Sequence, residues 1–207
     1  MPALTRWGLA AALLAPLAAL AAADAPASVF DLYAQVIVHG APDAEAALAG
    51  QLGAISGPPL AAALAAASRL DEAPELVDWP QAAAALRTRQ RAAQCSVDRV
   101  RYPQADSAEV EYRCRLPDLS ALLPVYRQHP VPFNGPHRPQ MAPPLATAYT
   151  RLMAHAPDRD RIVAVSFQRD GDGTAWHMRD PTPLIAVVAD AFLPFFEWNE
   201  HLPDDAD

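Results

Sequence analysis

The hydrophobic period of this chain changes from helical to alternating near residue 94, and this change constrains the fold more than any other feature. Before that point, apolar residues recur at the three- and four-residue spacing of helices. Residues 96–102 and 108–116 then alternate apolar with polar side chains, which predicts a β-hairpin. We therefore expect an α+β protein, with N-terminal helices packed on an antiparallel sheet.

Helices are predicted on both sides of this hairpin from their capping residues. Ser28, Asp43 and Asp78 each precede a helical pattern and are suited to be N-caps. Pro58-Pro59 is typical of a helix start, and His39-Gly40 of a helix end. The predicted helices cover residues 29–39, 44–52, 58–70, 79–93, 145–155 and a C-terminal stretch from 180 that is broken at Pro194. A helical turn over residues 119–127 is the only regular element expected between residues 117 and 144.

Charge pairing sets the predicted register of the hairpin. Placing Arg99 opposite Glu111 and Arg101 opposite Glu109 collects the charges on one face and leaves the apolar side chains on the other. Each cross-strand pair of this kind favours the register by roughly 0.2–1 kcal/mol. The first hairpin is therefore expected to have one polar and one apolar face.

The two cysteines, Cys95 and Cys114, lie at the open end of this hairpin and are one position out of step in the charge-paired register. We therefore predict a bulge or a kink at Cys95 that brings the two sulfur atoms together. In an oxidising compartment such a pair forms a disulfide. The C-x-x-C spacing of redox-active pairs is absent, so we expect this bridge to be structural.

A second hairpin is predicted near the C-terminus. Val165 and Phe167 share a face, and Trp176 and Met178 return on the same face after the turn sequence at 170–173. We expect Phe167 to lie opposite Trp176 and Val165 opposite Met178. Joined together, the two hairpins form one antiparallel sheet, and a C-terminal helix follows it.

Prolines dominate residues 117–144, which we predict to be an irregular loop region. Proline fixes φ and removes a backbone donor, so the prolines at 130, 132, 136 and 139 exclude both helix and sheet there. A loop of this length inside one domain is typical of a functional or a disordered segment. Phe133 and Met141 indicate that this loop packs against the rest of the protein.

Residues 1–23 have the layout of a secretory signal peptide. Arg6 is followed by an uncharged run of alanine and leucine, and small residues form an A-x-A site for cleavage after Ala23 or Ala25. The run is shorter than the ~20 residues that span a bilayer. We expect cleavage and export, which leave one secreted domain over residues 24–207.

Composition indicates the compartment of this domain and excludes some classes of partner. The chain has no lysine and is rich in alanine, as is typical of a GC-rich bacterial genome. Loss of Arg6 with the leader changes the formal net charge from −8 to −9. That charge argues against nucleic acid and anionic lipid as partners, and it fits a soluble protein or one with a basic partner. We expect a periplasmic or secreted location in a Gram-negative bacterium, without membrane attachment after cleavage.

Motifs of the common enzyme classes are missing. Ser56 lies at the wrong spacing for a nucleophile elbow, and the acidic turn at Asp170 lacks the glutamate that a calcium loop has at its twelfth position. The six histidines include no close metal-binding pair, and no glycine-rich phosphate loop is present. Glu109 and Glu111 are assigned to pairs with arginine rather than to glycoside hydrolysis. We predict no catalytic residues, no metal and no cofactor.

The leading hypothesis is an exported, non-enzymatic binding protein whose partner is another protein. Immunity proteins that neutralise antibacterial effectors in the periplasm, and inhibitors of cell-wall hydrolases, have this size and location. Proline pre-orders a loop and lowers the entropy lost on binding, so the proline-rich loop is the candidate surface. Its candidate contact residues are His129, Phe133, Asn134, His137 and Arg138.

The alternative hypothesis is a small-ligand pocket protein or a small enzyme, with a cavity between the sheet and the N-terminal helices. The order of helices before a sheet is loosely similar to that of cone-shaped, NTF2-like domains, although the helix and long loop between the hairpins depart from that plan. The candidate pocket residues, which also suit an ordinary core or its rim, are Tyr33, His39, Tyr112, Trp176 and His177.

Overall fold

The computed structural model describes residues 28–133, 138–171 and 175–201. The predicted signal peptide lies outside these ranges, as do the candidate contact residues Asn134 and His137 and part of the predicted turn, Asp172 and Gly173. Short 3₁₀ turns accompany the helices and strands. The elements in chain order are α1 (Val29–His39), α2 (Pro42–Gln51), α3 (Gly57–Ala67), α4 (Pro80–Ala92), β1 (Gln94–Gln104), β2 (Ser107–Pro117), α5 (Leu123–Gln128), α6 (Pro143–His155), β3 (Asp158–Arg169), β4 (Trp176–Met178), α7 (Thr182–Phe192) and α8 (Phe195–His201).

The predicted α+β architecture is confirmed, with helices packed on a four-stranded antiparallel sheet of order β1-β2-β3-β4. β2 and β3 pair without interruption from Ser107 opposite Gln168 to Pro117 opposite Asp158. Because side chains alternate along a strand, one face of this pair is apolar and buried. The buried side chains are Ala108, Val110, Tyr112, Cys114, Leu116, Val163, Val165 and Phe167.

Helix α1 begins and ends as its sequence predicts. The Ser28 hydroxyl oxygen accepts the N–H of Asp31 at 3.3 Å. At the other end Gly40 has a φ of 57°, and its N–H donates to the carbonyl of Val36. A Cβ on Gly40 would also collide with the hydroxyl of Ser68, so both backbone and space require glycine here.

Two of the predicted N-caps are wrong. Asp43 lies in the first turn of α2, which begins one residue earlier at Pro42, and Asp78 lies one residue before the N-cap of α4, Trp79. In both helices a proline occupies the first turn, where its fixed φ is already helical and its missing N–H needs no partner. The proline therefore sets the start, and the carboxylate of Asp78 binds the proline-rich loop instead.

The charge-paired register of the first hairpin is confirmed. Arg99 lies opposite Glu111 and Arg101 opposite Glu109. The carboxylate of Glu111 forms ion pairs with both arginines, at 2.5 Å from the Arg101 guanidinium and 3.8 Å from that of Arg99. These pairs lie on the exposed face of the sheet, so they fix the register more than they add to stability.

The disulfide between Cys95 and Cys114 is confirmed, and the irregularity that permits it lies at Asp98 rather than at Cys95. Cys95 lies directly opposite Cys114, and the register shifts by one residue just before Arg99. The extra residue, Asp98, turns its carboxylate to the guanidinium of Arg113, at 3.0 and 3.1 Å. One bulged residue thus satisfies both the cysteine pair and the charge pairs.

The predicted register of the second hairpin is wrong by two residues. Phe167 lies opposite Met178, not opposite Trp176. The turn is wider than expected, because the closing hydrogen bond runs from the N–H of Asp170 to the carbonyl of Ala175. A slip of two residues keeps every side chain on its face, so Phe167 and Met178 still enter the core.

Helices α1 and α7 pack on the apolar face of the sheet. The rings of Phe30 and Phe167 meet edge to face at 4.7 Å, and the hydroxyl of Tyr112 donates to the carbonyl of Phe30 at 2.7 Å. The predicted break at Pro194 separates α7 from α8. In the described ranges, none of the helices has the length and apolar character to cross a membrane.

The contact between α2 and α3 predicts opposite effects for two glycine substitutions. A Cβ on Gly57 would overlap the carbonyl oxygen of Ala49, whereas a Cβ on Gly50 meets nothing. Gly57→Ala should destabilise the protein by about 1–3 kcal/mol, and Gly50→Ala should stabilise it by about 0.5–1 kcal/mol. Urea denaturation of both variants measures this, and equal effects would contradict the close approach.

The disulfide predicts a redox-dependent stability. It closes a loop with a sequence separation of 19 residues, for which the chain-entropy model gives about 3 kcal/mol. The double variant Cys95→Ala/Cys114→Ala should keep the circular dichroism spectrum of the oxidised protein and melt at a lower temperature. Oxidised protein that melts at the same temperature with and without a reductant would refute a stabilising bridge.

Candidate functional site

The C-terminal side of the proline-rich loop is fastened to the start of α4. The carboxylate of Asp78 accepts hydrogen bonds from Arg138 and from Gln140, each at 2.7 Å. Beside it, the indole N–H of Trp79 donates to the carbonyl of Met141 at 3.0 Å, and the Met141 side chain is buried. Three hydrogen bonds and one buried side chain therefore hold this end of the loop.

The N-terminal side of the loop is fastened by apolar packing. Val131 is fully buried, and Phe133 is half-buried with its ring 5.7 Å from that of Phe196 on α8. His129 ends α5, where its N–H donates to the carbonyls of Val125 and Tyr126. The expectation that Phe133 and Met141 pack against the rest of the protein is thus confirmed, and the candidate contacts His129, Phe133 and Arg138 flank residues 134–137.

Tyr33 and Tyr112 join α1 to the sheet. Tyr33 is fully buried, and its hydroxyl donates to the carbonyl of Trp176 and accepts the N–H of Met178, each at 3.2 Å. Tyr112 is equally buried, and its hydroxyl donates to the carbonyl of Phe30. Both hydroxyls are therefore engaged by backbone groups of the core.

The other three candidate pocket residues lie in two places. His39, at the end of α1, donates its Nδ1–H to the carbonyl of Gln90 at 3.2 Å. His177 contacts the carboxylate of Asp170 at 2.5 Å, and the guanidinium of Arg169 stacks over the Trp176 ring at 4.5 Å. The structure brings Tyr33, Trp176 and His177 together at β4 and places His39 against α4.

Gln90 is a buried polar residue that sequence reasoning missed. Its side-chain amide donates to the carbonyls of Val38 and Ser68, at 2.8 and 2.7 Å. This amide therefore links the ends of three helices. Its neighbours Arg89 and Arg91 suggest an exposed helix end, so no local signal marks Gln90 as buried.

A cleft of about 480 Å³ lies where β3 begins, beside α7 and α8. Sequence reasoning missed it because its lining comes from three separate parts of the chain. Carboxylates outnumber guanidinium groups in the lining, and an indole forms part of its wall. The residues that give the cleft this character are Asp118, Arg159, Asp160, Asp190, Glu197 and Trp198.

The carboxylates of this cleft differ in their environments. Burial raises the pKa of Asp190, nearby Glu197 raises it further, and Arg161 opposes the shift. The pKa of Asp118 is lowered, first by hydrogen bonds from Ser120, whose N–H donates at 3.0 Å, and then by nearby arginines. Asp190 on α7 and Glu197 on α8 both line the cleft, so the negative charge of Glu197 disfavours ionisation of Asp190, and a bound cation would offset this effect.

No protein-family model, no curated protein and no solved structure matches this chain. Within residues 28–133, 138–171 and 175–201, no group of three histidine, cysteine, aspartate or glutamate side chains is arranged to hold a metal ion. The anchored loop, the exposed surfaces and the cleft are therefore the candidate functional features of the described residues.

The buried tyrosines predict a loss of stability at high pH. Burial raises the pKa of Tyr33 to about 12, and it also raises those of Tyr112 and Tyr149 above the ordinary value. Near pH 10 the unfolded chain begins to release these protons while the folded protein keeps them, so the free energy of unfolding should fall between about pH 10 and 12. Each buried tyrosine contributes up to about 1.4 kcal/mol per pH unit.

Chemical denaturation over this pH range measures the effect. Tyr33→Phe should reduce the slope of the free energy of unfolding against pH by the contribution of one tyrosine. The same slope in the variant and in the unaltered protein would contradict a raised pKa of Tyr33.

Proposed function

We propose that this chain is an exported, non-enzymatic binding protein whose proline-rich loop and adjoining α8 surface hold a protein partner. The observation that carries the proposal is the anchoring of the loop on both sides, by Asp78 and Trp79 at one end and by Val131 and Phe133 at the other. An anchored loop loses less conformational entropy when it binds, so more of its contact energy becomes affinity.

An exposed aromatic residue adjoins the loop. Phe196 on α8 is 57% exposed although it packs against Phe133. Aromatic side chains beside polar groups are the usual anchors of protein–protein contacts. His129 and Arg138 lie on the two sides of the loop, and with Phe133 they supply the polar and apolar groups of the proposed contact surface.

The proposed location is the periplasm or the medium outside a Gram-negative cell. The Cys95–Cys114 disulfide is compatible with an oxidising compartment. A mature charge of −9, after loss of Arg6, favours a basic partner by electrostatic steering. An immunity or inhibitor protein that blocks a secreted antibacterial effector or a cell-wall hydrolase combines these properties.

Binding to the products of adjacent genes, including any encoded toxin, tests this proposal. Purified protein should bind one of them, and Phe196→Ser should weaken that binding at least tenfold while the variant keeps the circular dichroism spectrum of the folded protein. Ile55→Ser is the matched control, since Ile55 is 91% exposed on the segment between α2 and α3. It should bind as the unaltered protein does.

Genetics gives a second readout of the same proposal. A strain that lacks the gene should become sensitive to attack by its sister cells, and the Phe196→Ser allele should restore protection less well than the Ile55→Ser allele. A deletion strain with unchanged sensitivity, together with no binding to any adjacent gene product, would overturn the immunity function.

A further inference from the structure

One edge of the sheet is open over most of its length. β4 pairs only with the last three residues of β3, Phe167, Gln168 and Arg169, and the N–H of Arg179 reaches back to the carbonyl of Ser166 at 2.9 Å. From Asp158 to Val165, this side of β3 has no backbone partner among the described residues. The open edge is therefore eight residues long.

The backbone groups along this edge point outward at every second residue. In an antiparallel sheet, successive residues direct their N–H and C=O groups to opposite neighbours. The Ser166 carbonyl bonds on the β4 side, so the groups of Ala164, Ile162 and Asp160 point to that side as well. Three consecutive donor–acceptor pairs are thus available to another strand.

The opposite edge, β1, is protected in ways that the β3 edge is not. β1 is bulged at Asp98, contains Pro103, and the N–H of Val97 is bonded to the carboxylate of Asp31 at 3.2 Å. Bulges, prolines and covering side chains are the usual means of preventing a further strand from pairing. β3 between Asp158 and Val165 has no proline and no register shift.

A groove runs beneath the open edge. The 480 Å³ cleft is bounded by Arg159–Ile162 of β3 and by α7 and α8, which contribute Val187, Asp190 and Trp198. A strand added beside β3 would direct every second side chain into this groove, because side chains alternate between the two faces of a sheet. Edge and groove therefore form one continuous surface.

The groove favours positively charged side chains. Four carboxylates line it against two guanidinium groups, and two of the carboxylates, Asp190 and Glu197, come from helices α7 and α8. Lysine or arginine side chains that enter the groove would lie between these carboxylates. An acidic segment would add like charges to the same space and be repelled.

We propose that the open edge of β3 binds an extended, basic segment of a partner protein as an added β-strand. Backbone hydrogen bonds to Asp160, Ile162 and Ala164 supply the affinity, and the carboxylates of Asp190 and Glu197 select for cations at alternate positions. Addition of a strand to a sheet edge is a general mode of peptide recognition. This surface is separate from the proline-rich loop and goes beyond the function proposed above.

A synthetic peptide tests the proposal without knowledge of the natural partner. The probe is a blocked heptapeptide of alternating valine and arginine with a fluorescent label, and its binding is followed by fluorescence anisotropy. We expect saturable binding, at least tenfold weaker binding when alternate backbone nitrogens are methylated, and no binding when glutamate replaces arginine. Absence of saturable binding, or equal binding of the methylated peptide, would overturn the proposal.

Two substitutions at Ile162 distinguish the contribution of its backbone N–H to peptide binding from that of its side chain. Ile162→Pro removes an N–H that points to the open edge, so the ladder with β2 stays intact and the protein should fold. It should weaken peptide binding at least tenfold, whereas Ile162→Thr, which keeps the N–H, should bind within twofold of the unaltered protein. If Ile162→Pro folds and binds the peptide with unchanged affinity, the peptide does not pair with the open edge of β3.

A double variant without two of the groove's carboxylates tests whether the groove selects cationic side chains. Asp190→Asn/Glu197→Gln should weaken binding of the arginine peptide about fivefold, as expected for two partly exposed ion pairs. Asp71→Asn, which alters a carboxylate paired with Arg87 elsewhere, should have no effect. An equal loss of affinity for the arginine peptide in both variants would contradict selection of cations by this groove.

Two results separate this proposal from others. Sedimentation should show a monomer, and a dimer that Ile162→Pro dissociates would assign the edge to a second copy of the chain instead. Phe196→Ser should leave peptide binding unchanged, so failure of the loop surface and failure of the edge are distinguishable. Loss of peptide binding in Phe196→Ser would contradict two separate surfaces.

Discussion

The uninterrupted pairing of β2 with β3 organises this fold. It fixes eleven consecutive residue pairs, and with them the face that every side chain of both strands occupies. The apolar face is covered by α1 and α7, and the opposite face carries the ion pairs of Glu111 and Arg113. β1 pairs with β2 through a bulge at Asp98 and a second register shift between Arg101 and Gln104, and β4 attaches only at the end of β3.

Both proposed surfaces lie at the end of the β2–β3 pair where β2 ends and β3 begins. β2 ends where β3 begins, and the N–H of Asp118 donates to the carbonyl of Pro157 at 2.9 Å. The chain between these residues, which includes the proline-rich loop, therefore leaves and returns at one junction. The cleft opens beside that junction, and α8 connects the two surfaces, with Phe196 against the loop and Glu197 in the cleft. A partner that used both surfaces would contact α8 from two sides.

Local chemistry predicted much of this structure, and contacts between distant residues account for the rest. Capping by Ser28 and the register of the first hairpin depend on residues close in sequence, and these predictions are confirmed, although Arg101 forms its ion pair with Glu111 rather than with Glu109. The carboxylate of Asp78 would cap α4 in isolation, but a loop 60 residues away binds it. The turn after Asp170 is wider than its sequence suggests, since its width is set by where β4 can pair. The open edge was not predictable, because only the assembled sheet shows that β4 pairs with no more than the last three residues of β3.

Amide hydrogen exchange measured residue by residue shows whether β2 is the interior of the sheet and β3 an accessible edge. In the purified protein without a partner, amides along β2 should be the slowest to exchange. The outward amides of Ile162 and Ala164 should exchange rapidly, whereas those of Val163 and Val165, which pair with β2, should be protected. Equal protection of Ile162 and Val163 would mean that another part of the chain covers this edge, so that β3 could not accept a further strand.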